Sequence, residues 1–366
     1  MRIAQIAPII ERTPPEHYGG TERIISTLTE ELVARGHDVT LFATEDSITS
    51  AKLISTYPHA LRKSFPLQNS IQRPIWTTKH LGYAYAMQDQ FDIIHDHTAW
   101  LGAAAAHTSR TPVVMTLHTA FTEESIALFE ALNNPYLVSI SNSQRRPAPD
   151  LNYIATVYNG LEMNHYPFSA TNKGYLLFVG RFCKEKSPHY AIEVAKRLNL
   201  PLIMAAKLED GPGREYFEEY IKPHLSDQIR WIGEVDEKER NELYRNALCF
   251  LHPVSWPEPF GLTLIEAMAC GTPVVAFNKG AIPEVIKDGK TGFVVNNVDE
   301  MVAAVKRIET IDRAEARRHA LTFSVEQMVD NYELIYQAIL AGKYRLFNKG
   351  ITKYQFQQPF LRKRTD

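Results

Sequence analysis

Trp256-Pro257-Glu258-Pro259-Phe260-Gly261-Leu262-Thr263-Leu264-Ile265-Glu266-Ala267-Met268-Ala269-Cys270-Gly271-Thr272-Pro273-Val274-Val275-Ala276 is the stretch that decides how this chain is read. The turn from Pro257 to Gly261 opens an apolar helix near Leu262. That helix stops at Cys270-Gly271-Thr272-Pro273, ahead of a buried strand beginning at Val274. A helix start leaves unpaired backbone N–H groups, here those near Phe260, Gly261, Leu262 and Thr263, with the positive end of the macrodipole behind them. Such an end attracts phosphate. Glu258 lies just before it and Glu266 two turns in, on roughly the same side and on the order of 10 Å apart at helical rise. One anion site flanked by two hydroxyl-binding carboxylates suits a sugar, a diphosphate and a ribose in a row. The plainer alternative is a helix entry with incidental acids.

The bulk composition sets the frame. At 366 residues the chain is too long for one ordinary core and fits two domains. Apolar residues make up 45% and charged residues 22%, the values of a soluble globular protein. A net charge of −2 provides no global field for nucleic acid. Cys183, Cys249 and Cys270 are odd in number and widely spaced, as reduced core residues are, which points to a cytoplasmic setting. The opening Arg2–Ala7 reads as a first strand rather than a secretory segment, and the Ala-rich run from Leu101 is far below bilayer length.

Short apolar runs alternate with helical patterns throughout, predicting an α/β architecture of parallel sheets with crossover helices. In the first half, strands are expected at Arg2–Ala7, Asp38–Ala43, Ile93–His95, Val113–Leu117, Tyr136–Ser139 and Ile154–Val157, with a helix over Thr21–Arg35 ending at Gly36. In the second half, strands are expected at Tyr175–Val179, Leu202–Ala205, Ile229–Trp231, Cys249–Leu251, Val274–Ala276 and Gly292–Val294. Its clearest helices are Lys186–Leu198, Glu237–Asn246 and Leu262–Ala269. The turn-rich stretch from Tyr158 to Gly174 is the seam, dividing residues 1–168 from 169–341. Two such halves place a ligand cleft at the carboxyl ends of their strands.

The segment resembles the Glu-x7-Glu signature of the retaining glycosyltransferases of family 4, and the match continues through Glu266-Ala-Met-Ala-Cys-Gly-Thr-Pro-Val-Val-Ala276. The resemblance spans about Arg2 to Leu340. It implies the GT-B fold: two Rossmann-like domains whose parallel sheets face each other across a deep cleft, with the tail 342–366 packing back on the first. It also implies that Glu258 holds the hydroxyls of the transferred sugar and Glu266 the nucleotide ribose.

Further residues match the same family. Gly180-Arg181-Phe-Cys-Lys-Glu-Lys186 resembles its Gly-Arg-x-x-x-Glu-Lys segment, whose Arg and Lys bind the donor pyrophosphate; a fork and a point charge suit that task. The family usually has Gly after that Lys. This chain has Ser187, which reads as a helix cap. Tyr18-Gly19-Gly20-Thr21-Glu22 resembles the Gly-Gly-x-Glu loop that lies against donor phosphates and acceptor, with Gly20 the better candidate for direct contact and Tyr18 on the acceptor side. His118, ending the strand Val113–Leu117, corresponds to a cleft histidine near the sugar's reacting end. His97 falls in a similar Asp-x-Ile-His-x-His pattern on the acceptor side, whereas His95 reads equally well as structural. Val235 falls in a loop that edges the nucleobase. His95 and His97 also form a His-x-His pair, but no carboxylate set completes a metal site.

The chemistry so implied is retaining transfer of a hexose from a UDP-sugar, UDP-glucose first, to a saccharide or lipid-linked saccharide acceptor in polysaccharide or glycoconjugate synthesis. No metal and no other cofactor is expected. Arg181, Lys186 and the helix start near Gly261 would stabilise the departing diphosphate, and domain closure would align the acceptor. Nucleotide-sugar epimerases and phosphorylases share the fold and remain alternatives, as does an inactive binding protein. A nicotinamide oxidoreductase fits poorly, since Gly211-Pro212-Gly213 lacks a third glycine and does not follow the first strand. From Ser47 to Gln88 no acidic residue occurs, yet Lys52, Arg62, Lys63, Arg73 and Lys79 lie among aromatic residues, and the tail is basic. This edge is expected either to be solvated or to meet an anionic membrane from the cytoplasmic side.

Overall fold

Fully buried strand sequences such as Val113–Leu117 and Val274–Phe277 require helices on both faces of a sheet, and the chain is built that way. The computed structural model describes residues 1–16, 19–65 and 71–342. In the first half, β1 (Arg2–Ile6), β2 (Asp38–Ala43), β3 (Lys52–Ser55), β4 (Ile93–Asp96), β5 (Val113–Leu117), β6 (Tyr136–Ser139) and β7 (Tyr153–Thr156) form one sheet in the order β3-β2-β1-β4-β5-β6-β7. In the second, β8 (Leu176–Arg181), β9 (Leu202–Lys207), β10 (Ile229–Trp231), β11 (Cys249–His252), β12 (Val274–Phe277) and β13 (Gly292–Val295) pair as β10-β9-β8-β11-β12-β13. The pairings are parallel in both sheets. The fold is GT-B, with two Rossmann-like sheets.

The expected strands are present, most of them shifted by one or two residues at an end. β3 is the exception. Lys-Leu-Ile-Ser is a short, half-exposed edge strand with too few apolar residues to stand out as a run. The first helix, Gly20–Ala34, buries Ile24, Ile25, Leu28 and Leu32 on one face and stops just before Gly36.

The chain passes between the halves twice, and the two crossings touch. Leu161 N donates to Phe323 O at 2.9 Å, and Val325 N donates to Leu161 O at 3.1 Å. The helix Val325–Leu340 then lies on Gly20–Ala34. It is clasped there by Arg35, which is 2.6 Å from both Asp330 and Glu333, and by His37, 2.7 Å from Glu333. The return to the first half therefore begins upstream of residue 342, on a helix that the sequence reading assigned to the second half. Residues 343–366 of the tail lie outside the described residues. No helix among the described residues is long and apolar enough to cross a membrane.

Candidate active site

The carboxyl ends of β5, β8 and β11 and the start of the helix Gly20–Ala34 converge on a cavity of about 330 Å³ between the sheets. Its centre is the loop after β11. Gly261, with φ +93°, turns this loop into the helix Leu262–Ala269; a side chain there would meet Leu264 Cδ1 at 2.8 Å. No side chain caps this helix, so its first N–H groups open into the cavity with Phe260, Gly261, Leu262 and Thr263 on the wall. Gly280 packs so closely on the Glu258 backbone that a Cβ would collide with its N and O atoms, which fixes where the Glu258 side chain begins.

Glu258 is buried, and its described contacts fall on one oxygen. Lys186 Nζ is 2.5 Å from Oε2, Trp256 Nε1 donates to it at 3.1 Å, and His252 Nε2 is 3.6 Å away, too far for a good hydrogen bond. Burial alone would raise the Glu258 carboxyl, but Lys186 and His252 together more than offset it, so the acid is held far below the usual range. Burial likewise keeps His252 neutral by lowering its pKa. The Lys186 ammonium also stands 5.4 Å over the Trp256 ring.

Glu266 is buried between two arginines. Arg23, from the first half, reaches across the cleft to Oε1, and Arg240 Nε lies 3.4 Å from Oε2. Burial opposes ionisation here too, and Arg240 with Arg23 overcomes it, keeping the acid below its ordinary value. Arg181 ends β8 and places Nη1 3.0 Å from Glu209, whose other oxygen is 2.8 Å from Arg62 of the first half. Arg62 also pairs with Glu11.

Gly19, Gly20, His118, Arg181, Lys186, Val235, Glu258 and Glu266, the residues that the family resemblance singles out, all line this cavity. Gly20 faces Leu262 across it: a Cβ on Gly20 would be 3.3 Å from Leu262 Cδ1. His97 is not on the wall. It is buried behind His118, with Nδ1 3.0 Å from His118 Nε2 and Nε2 2.8 Å from Gln5 Oε1, so its place is a support rather than a contact surface. Tyr18 lies outside the described residues. Ser187 does not cap its helix. Its φ of +49° is a left-handed conformation that glycine adopts more readily, and its hydroxyl donates to Lys184 O at 2.6 Å. Among the described residues no group of three or more His, Cys, Asp or Glu is placed to hold a metal ion.

Sequence reasoning missed Arg23, Arg62, Glu209 and Arg240. Arg23 had one available signal, since three residues after Gly20 it shares that glycine's helix face. The others come from separate elements and meet only in the fold. Glu22, also on the wall, is buried near Glu11, and burial pushes its carboxyl up to about 7.

Comparison with known proteins agrees with this geometry. Residues 166–322 match the family described as glycosyl transferases group 1, and residues 18–158 match glycosyltransferase family 4. A phosphatidyl-myo-inositol mannosyltransferase of Mycolicibacterium smegmatis is 24% identical over 92% of this chain and 94% of its own. Among solved structures, sucrose-phosphate synthase from Thermosynechococcus elongatus superposes with a TM-score of 0.76 at 19% identity, covering 93% of this chain and 99% of that one. Anabaena HepE in complex with UDP and glucose gives 0.70 at 20%, covering 92% of this chain and 100% of that one. With both halves matched and both sheets in place, the chain belongs to the family 4 glycosyltransferases of GT-B fold.

Proposed function

We propose that this glycosyltransferase moves a hexose, with retention of configuration and without a metal, from a UDP-sugar to a saccharide or lipid-linked saccharide. The observation that carries the reading is Glu258. It is ionised, pinned through Oε2 by Lys186 and Trp256, and set at the open start of the helix Leu262–Ala269. A sugar placed against Glu258 puts its diphosphate at that helix start, between Lys186 and Arg181, and its ribose toward Glu266.

In the reaction the anomeric carbon–oxygen bond breaks toward an oxocarbenium-like state and negative charge grows on the diphosphate. Arg181, Lys186 and the helix N–H groups meet that charge from fixed positions, which favours the transition state over the ground state. The acceptor hydroxyl would attack from the face the diphosphate leaves, passing its proton to the departing phosphate oxygen. His118 borders this space from the first half, and Gly19 and Gly20 let backbone approach the donor closely.

UDP-glucose is the first donor to try. HepE, a structural neighbour, was solved with UDP and glucose, and Glu258 suits a hexose with free hydroxyls. The acceptor side is more open. Ile71, Ile75 and Tyr83 are exposed along the helix Gln72–Ala86, next to Lys79 over the Trp76 ring. Arg62 and Lys63 are engaged by carboxylates and Arg73 by Phe65 O, so fewer free cations face outward than the sequence implied. Any membrane contact would lean on those apolar residues, and cosedimentation with anionic vesicles at low and high salt tests it. The reaction itself is tested by incubation with a panel of nucleotide sugars. Release of UDP from a UDP-hexose is expected, and consumption of none of them would refute the reading.

A further inference from the structure

Behind His118 a column of buried polar side chains runs from the cleft to the returning helix Val325–Leu340. His118 Nε2 is 3.0 Å from His97 Nδ1, and His97 Nε2 is 2.8 Å from Gln5 Oε1. The His95 ring lies tilted against that of His97 with centroids 4.0 Å apart. Its Nδ1 is 2.6 Å from the Tyr336 hydroxyl and its Nε2 is 2.7 Å from Thr116 Oγ1. Thr116 Oγ1 is in turn 2.9 Å from the Tyr332 hydroxyl. Gln5, His95, His97 and Thr116 are all buried.

Burial lowers the pKa of all three histidines, to about 4 for His118, so each is neutral at ordinary pH. A neutral imidazole carries one N–H and one lone pair. Between His97 Nδ1 and His118 Nε2 a single hydrogen must therefore sit on one side or the other. The tautomers of the two rings are tied together.

We propose that Gln5 decides which nitrogen of His118 keeps a lone pair for the cleft. An amide oxygen only accepts, so Gln5 Oε1 requires the hydrogen of His97 on Nε2. His97 Nδ1 is then bare and accepts from His118 Nε2–H. That leaves His118 Nδ1 as an acceptor toward the cavity the ring lines. The Gln5 nitrogen is buried and makes no hydrogen bond among the described residues. The Tyr336 hydroxyl lies 2.6 Å from His95 Nδ1 and so belongs to the His95 side of the column. Reversing the amide would present N–H to His97 and invert the two histidine tautomers beyond it, leaving a donor at the cleft. Gln5 touches no substrate; it is a positioning residue acting through His97. Resting on the transfer reading above, the lone pair would accept a hydrogen bond from a sugar or acceptor hydroxyl.

The test is a long-range proton–nitrogen NMR spectrum of the full chain labelled with ¹⁵N-histidine, assigned with His118→Gln and His97→Gln. The expected pattern is pyrrole-type Nε2 and pyridine-type Nδ1 on both rings. Gln5→Glu keeps an acceptor and should preserve it. Gln5→Met removes the acceptor and should mix the tautomers of both rings together. If Gln5→Met does not fold, Gln5→Ala removes the same acceptor without adding bulk and should mix the tautomers in the same way. A pyridine-type Nε2 on His118 in the native chain, or an unchanged pattern in the folded variant that removes the determinant, overturns the proposal. Kinetically, Gln5→Met should lower kcat about fivefold, the worth of one neutral hydrogen bond, with KM for the nucleotide sugar unchanged and kcat recovered in Gln5→Glu. Equal losses in both variants would overturn the positioning role. The spectrum needs no substrate, so failure to find a donor would count against the transfer reading and not against the tautomer coupling.

Discussion

Arg23 and Glu266 form an ion pair that spans the two halves of the molecule, with only 3% of the Glu266 side chain exposed. The arginine comes from the helix Gly20–Ala34 and the carboxylate from Leu262–Ala269, so the pair couples the position of the first domain to the state of the proposed ribose carboxylate.

Breaking a buried pair by removing one partner is expensive because the other charge is stranded. Arg23→Ala should therefore destabilise the chain by about 2 kcal/mol or more, less than an isolated pair would lose because Arg240 still faces Glu266. A double-mutant cycle with Glu266→Gln in urea should show the two changes to be strongly non-additive. Additivity within about 0.5 kcal/mol would mean the contact contributes little.

The two glutamates should separate in binding experiments. Glu258→Ala should abolish transfer yet leave nucleoside diphosphate affinity intact, since it removes a sugar contact and releases Lys186 from its 2.5 Å pairing. Glu266→Ala should weaken the nucleotide itself. Calorimetry with UDP distinguishes them, and equal losses in both variants contradict the assignment.

Arg181 and Lys186 each carry a charged hydrogen-bonding position, typically worth about 1.5–3 kcal/mol, or roughly ten- to a hundredfold in affinity. Their alanine variants should lose UDP binding far more than uridine binding. Glu209 competes for Arg181 from 3.0 Å, so Glu209→Gln should tighten UDP. EDTA should leave activity unchanged.

Glu22 gives a pH signature. Its carboxyl is raised from 4.5 to about 7 by burial, so the folded chain holds a proton that the unfolded chain releases between those values. Stability from this group is complete below pH 4.5 and falls as pH rises toward 7, by on the order of 3 kcal/mol in total. Glu22→Gln should flatten that fall in denaturation curves recorded from pH 5 to 8. An identical slope in the variant would assign the dependence to other groups.

Much of this was legible before any coordinates. The apolar runs of β5 and β12 and the glycine-bounded helix Leu262–Ala269 declare themselves because local propensity and burial agree there. Glu258, Glu266, Arg181 and Lys186 were found because they lie in short spans near strand ends. Arg23, Arg62 and Glu209 were not, since their significance is an encounter across the cleft that no local pattern encodes. His97, which the family pattern set on the acceptor side, lies one layer behind His118, because a sequence pattern marks the end of a strand but not how deep a side chain there lies. The helix Val325–Leu340 went to the wrong half for a related reason. Its apolar stripe fits any sheet, and only Arg35, His37 and the β4–β5 histidine column specify which one it covers.

The most direct measurement is NMR of the product first formed when the protein consumes UDP-glucose. The account predicts UDP release together with an α-configured glucosyl product, or α-glucose if water is the acceptor, and loss of both in Glu258→Ala. A β-configured first product, or undiminished turnover in Glu258→Ala, would contradict it.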